Sequence, residues 1–78
     1  MDYLLIAKKI LAKHLQVPVE QIKDNDTIEQ INQLDSVIFA AIVMDVERLL
    51  KKEIDVRQWL SLSSVQDLAN IIKNNHQQ

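Results

Sequence analysis

Apolar residues recur at helical spacing along most of this chain. In the first segment Leu4, Ala7 and Leu11, with Ile6 and Ile10, fall to one side while Lys8, Lys9 and Lys13 take the other, which predicts an amphipathic helix over Tyr3–Leu15. Val17-Pro18 stops it, because a residue before proline is pushed out of the α region. His14, close to the helix end and without a second His, Asp or Glu at ligand spacing, reads as a surface or dipole-facing residue rather than a ligand. Residues 19–34 break the period. Turn formers at Lys23-Asp24-Asn25-Asp26, with Ile22, Ile28, Ile31 and Leu34 as apolar pins, predict a long connection packed across the domain. Asp26-Thr27-Ile28-Glu29 has the form of a cap for one short helical turn. The acidic residues there lack the Gly and the terminal Glu of a calcium loop, and read as a solvated turn.

A second helix is predicted over Ser36–Leu50, with Phe39, Ile42, Val43, Val46 and Leu50 on its core face. Its opposite face carries Val37, Ile38, Ala41 and Met44 instead of charges, and turns polar only with Asp45, Glu47, Arg48, Lys51 and Lys52. A helix apolar all round its first two turns is either fully buried or met by a partner. In so small a domain the partner is the expectation, and burial under the preceding loop is the alternative. Residues 54–62 hold a short third helix or turn, with Val56, Trp59, Leu60 and Leu62 as its contacts and Trp59 as core volume. Ser63 then stands as N-cap with Gln66 three residues on, and a last helix follows whose stripe is Val65, Leu68, Ala69 and Ile72. Residues 74–78 read as a frayed tail, with no role for His76.

Composition narrows the classes. Seventy-eight residues, 47% of them hydrophobic, with no Gly and one Pro, make one small all-α domain over residues 1–78. The chain has no Cys, which excludes disulfides and thiolate metal sites, so thiol chemistry needs a sulfur brought by a cofactor. A net charge of −2 gives no cationic field for nucleic acid. The longest apolar run, eight residues, is far short of a membrane span, and no signal-peptide layout opens the chain, so a cytoplasmic location is expected. No nucleophile–base pair or metal cluster is visible, so neither a catalytic residue nor a metal site is expected.

One serine stands out. Asp35 is a good N-cap, which puts Ser36 at the first helical position with its hydroxyl at the positive end of the helix dipole, a natural site for a phosphate ester. On these residues alone Asp-Ser before an apolar run is a cap. The register of the whole chain adds more. Lys8-Lys9-Ile10-Leu11, Leu34-Asp35-Ser36-Val37, Val43-Met44, Glu53-Ile54 and Ser64-Val65 fall at the spacing of the acyl carrier protein family, which the chain resembles over nearly its whole length.

The resemblance implies a small four-helix bundle of three main helices and one short one, forming a single carrier domain. It implies that a phosphopantetheinyl transferase uses coenzyme A and Mg²⁺ to attach 4′-phosphopantetheine to Ser36, and that the protein is not an enzyme. It would be a monomer that presents acyl, ketide or aminoacyl thioesters to a loading enzyme and to downstream synthases. Three features depart from the family pattern. Asn32 and Gln33 stand where Gly is common before the serine. Ile38 and Ala41 replace acidic residues usual in fatty-acid carriers, and Arg48, Lys51 and Lys52 add positive charge. Trp59 takes a position where the family often has a small residue, closing or reshaping the space between helices that shelters an acyl chain. The expectation is a discrete carrier of polyketide or nonribosomal-peptide type that docks through Asp35, Val37, Ile38, Ala41 and Met44. A housekeeping fatty-acid carrier is the alternative within the class. A helical module that uses the apolar face to bind a partner helix is the alternative outside it.

Overall fold

A chain without glycine that closes a helix on a left-handed residue must carry a Cβ into that region. The computed structural model, which describes residues 2–27 and 36–76 and only the backbone of Ser36, shows this twice. Helix α1, Tyr3–Leu15, closes on Gln16 at φ 59°, where the Val17 N–H donates to the Ala12 carbonyl at 3.2 Å. Helix α2, Ser36–Leu50, closes on Lys51 at φ 58° with Lys52 N–H on the Glu47 carbonyl, also at 3.2 Å. Both closures satisfy orphan carbonyls of the last turn, and each left-handed residue costs about 1–2 kcal/mol that a glycine would not.

A 3-10 turn at Val19–Gln21 follows α1, helix α3 spans Val56–Leu60, and α4 spans Val65–His76. The regular elements among the described residues are all helices, beside one isolated bridge between Thr27 and Ser64, so the small all-α bundle is the fold. The core is drawn from every helix: Ala7, Leu11 and Leu15 of α1, Ile42, Val46 and Leu50 of α2, Trp59 of α3, and Val65, Leu68, Ala69, Ile71 and Ile72 of α4. Ile22 and Ile54 plug it from the connections. Helix α1 packs chiefly on α4 and less on α2.

Several local expectations shift. The N-cap of α4 is Ser64, not Ser63: its Oγ accepts from the Asp67 N–H at 3.1 Å, while the Asp67 carboxylate accepts from the Ser63 N–H at 3.0 Å and hydroxyl at 2.8 Å. Two adjacent serines offered two registers, and the one that puts Asp67 rather than Gln66 at the third helical position complements the helix dipole. The Ser63 hydroxyl is the main reason Asp67 is held below the ordinary carboxylate range. The Asp26 carboxylate accepts the Lys23 N–H at 2.9 Å and Thr27 pairs in the bridge, while the short helical turn expected to run on through Ile28 and Glu29 lies outside the described residues. Ile28, Ile31 and Leu34, named as pins of the connection, lie outside the described residues.

The end of α4 is not frayed through His76. Asn75 is buried and its amide donates to Gln58 Oε1 and to the Ile71 carbonyl, both at 2.8 Å, while His76 meets the Tyr3 ring edge-on at 5.8 Å. Gln58 and Tyr3 lie on other helices, where no local rule could find them. Val56 and Leu60, expected as contacts of α3, are exposed; in that five-residue helix only Trp59 turns inward, edge-on to Phe39 at 6.2 Å. Its indole Nε1 has no hydrogen-bond partner among the described residues.

Candidate functional site

Helix α2 begins at Ser36, and the first N–H groups of any α-helix have no partner within it. The positive end of the helix dipole therefore coincides with a serine. Asp35, expected as the cap, lies outside the described residues. The ground just beyond Ser36 is open. Val37 is 76% exposed, and Ala40, one turn after Ser36, is also exposed.

The remaining expected docking residues are distributed unevenly. Met44 is 58% exposed and Ala41 is half-buried, and with Val37 they follow a single face at steps of four and three residues. Ile38 sits round the helix from them and packs partly against the core. Phe39 and Val43 are likewise half-buried over the core, beside the fully buried Ile42 and Val46. Helix α2 is thus anchored along one stripe and apolar but open along another.

The seam between α2 and α1 is electrostatic. His14 Nε2 and Asp45 Oδ2 stand 2.5 Å apart with about four-fifths of each side chain buried, and the Lys13 ammonium donates to the same oxygen at 3.2 Å. The His14 hydrogen bond is the main cause that holds Asp45 below the ordinary carboxylate value of 3.8; partial burial opposes it and Lys13 assists. His14 is therefore not the surface residue expected. Its partner is thirty-one residues away, and the one available hint was a carboxylate placed between apolar residues of α2. A groove of about 290 Å³ lies along this seam, lined by Ile6, Lys9, Ile10, Lys13, Asp45 and Leu49.

On the far side, the Glu47 carboxylate accepts the Ile54 N–H at 3.0 Å, which ties the end of α2 to the connection before α3. Asp55 caps α3 by accepting the Arg57 N–H at 2.9 Å and also takes the Arg57 guanidinium at 2.6 Å, the chief reason its carboxyl lies below the ordinary range. Among the described residues no group of three or more His, Cys, Asp or Glu could hold a metal ion. No helix among them is long and apolar enough to cross a membrane.

A small helical domain with a serine opening helix α2, on ground left apolar and open, has the form of a carrier. The model of the phosphopantetheine attachment site matches residues 7–72, from inside α1 to near the end of α4, so the chain belongs to that family. It is a phosphopantetheine-carrying protein of the acyl and peptidyl carrier kind, whose members hold a covalent 4′-phosphopantetheine. Carrier domains generally catalyse nothing themselves and work with a phosphopantetheinyl transferase and biosynthetic enzymes. No curated protein matches the chain.

The residues present fit such a group. An ester at the first residue of α2 would meet the positive end of a helix, with Val37 and Ala40 exposed beside it. A chain without Cys offers no competing thiol.

Proposed function

We propose that residues 1–78 act as one discrete carrier domain with Ser36 as its attachment residue, serving a specialised pathway of polyketide or nonribosomal-peptide type. The observation that carries the reading is a serine at the first position of α2 inside a span matched as a phosphopantetheine attachment site. When bound, the group supplies a thiol on which acyl, ketide or aminoacyl cargo is held as a thioester.

The chain's own residues do the positioning. Ser36 fixes the root of the arm to the rigid start of α2, so that cargo is delivered at a high effective concentration wherever α2 docks. Docking falls to Asp35, Val37, Ile38, Ala41 and Met44, with Val37 and Met44 as the outermost apolar contacts. The pathway assignment is supported by the front half of α2, where no residue between Ser36 and Met44 is charged. A fatty-acid carrier guided by charge would show acidic residues there. Trp59, which fills the space beside Phe39, supports cargo that stays outside the bundle.

The test is intact-mass measurement after incubating the apo protein with coenzyme A, Mg²⁺ and a broad-specificity phosphopantetheinyl transferase. Wild type gains one phosphopantetheine and Ser36→Ala gains none. An unmodified wild type, under conditions that load a control carrier, moves the protein to the helix-binding module. A modified Ser36→Ala removes Ser36 as the attachment point.

A further inference from the structure

We infer that the enzymes docking on this carrier, the transferase among them, meet α2 with an apolar socket bordered by acidic side chains. The inference rests on the carrier reading above and names the chemistry of the partner. Val37, Met44 and Arg48 stand at steps of seven and four residues and so share one face of α2, and the exposed Lys51 and Lys52 follow directly after the helix end. That face is apolar at the Ser36 end and cationic at the other.

Both carboxylates of α2 are engaged elsewhere. Asp45 is held in the α1 seam by His14 and Lys13, and Glu47 accepts the Ile54 N–H at 3.0 Å. The cations remain available. Among the described residues Arg48 comes no nearer to a carboxylate than 3.9 Å, to Asp45, and its side chain is 75% exposed. Lys51 and Lys52 are exposed and form no ion pair among the described residues. Among the described residues, Glu53 is the exposed acid next to them in sequence without an ion pair, while the exposed Asp55 is paired with Arg57. Arg48, Lys51 and Lys52 against Glu47 and Glu53 leave a local positive excess on a chain whose net charge is −2, with the three cations turned to solvent.

A partner with acidic side chains at the matching end is steered within a screening length of about 8 Å at physiological salt. It is also set in register, with the apolar contact falling beside Ser36. A partner with a cationic carrier-docking surface is repelled at the same place.

The test measures kcat/KM for loading of the full chain by the transferase, at low and at high salt. Charge reversal of Arg48→Glu, Lys51→Glu and Lys52→Glu together lowers it about tenfold at low salt, and the wild type slows as salt rises. The neutral set Arg48→Gln, Lys51→Gln and Lys52→Gln gives a smaller drop in the same direction, which separates docking from any loss of fold. Reversal of Lys9 and Lys73, exposed on α1 and α4, leaves the rate within about twofold. A triple reversal that loads as fast as wild type, or faster, overturns the acidic-partner inference while leaving the carrier intact. A wild type that is never loaded overturns the carrier reading and this inference with it.

Discussion

Helices α2 and α4 divide the work of the molecule. In α4 every large apolar residue is buried: Val65, Leu68, Ala69, Ile71 and Ile72 face the core, while Gln66, Asn70, Lys73 and Asn74 face water. Packing alone accounts for its sequence. Helix α2 buries Ile42, Val46 and Leu50 in the same way, yet it also leaves Val37, Ala40 and Met44 in solvent. These residues add little to the fold, and an exposed apolar stripe lowers solubility, so they call for a cause outside the domain. A residue that the core does not use is the clearest functional signal that a small bundle offers.

Substitutions on the two helices should therefore separate stability from function. Leu68→Ala removes a fully buried side chain from α4 and should cost about 2–5 kcal/mol in urea unfolding, a large share of what a domain this size possesses. A loss under 1 kcal/mol would mean that α4 is not the anchor described. Asp45→Asn should cost less, about 1–3 kcal/mol, because it leaves His14 and Lys13 without their acceptor in a partly buried seam.

The pH dependence follows from the direction of the Asp45 shift. Its carboxyl is held below 3.8 in the folded state, so its contribution is complete above that value and drains as pH falls below it. Asp67 behaves in the same sense. Acid unfolding of Asp45→Asn should accordingly begin from a lower plateau and show a shallower acid limb than wild type. Identical limbs would remove the seam from the account.

The parts of the fold legible in the sequence were those long enough for a period to repeat. The spans of α1 and α2 and the α4 stripe all followed from apolar residues at helical spacing. Features decided across helices were not legible. His14 meets a carboxylate on α2, Asn75 meets Gln58 of α3, and His76 meets Tyr3 of α1, and none of these pairings leaves a local pattern. The α4 cap slipped by one residue because Ser63 and Ser64 compete on equal local terms until Asp67 is in place. Helix α3, five residues long, is too short for periodicity to tell the buried Trp59 from the exposed Val56 and Leu60.

Of the candidate site, Ser36 at the start of α2 and the open stripe at Val37 and Met44 were legible, because both depend on one helix alone. That Ile38 leans toward the core depended on how α2 is rotated against its neighbours. The pattern of charges left free on α2 depended on which carboxylates the rest of the molecule had already claimed.

The most direct test of the division between the two helices is to measure stability and loading on one sample of the double variant Val37→Glu, Met44→Glu. Both positions are exposed, so unfolding should stay within about 0.5 kcal/mol of wild type per site. The kcat/KM for phosphopantetheine transfer should fall at least about tenfold, since two charges then stand in the apolar contact. A variant as stable as wild type and loaded just as fast would contradict the claim that this face of α2 exists for a partner.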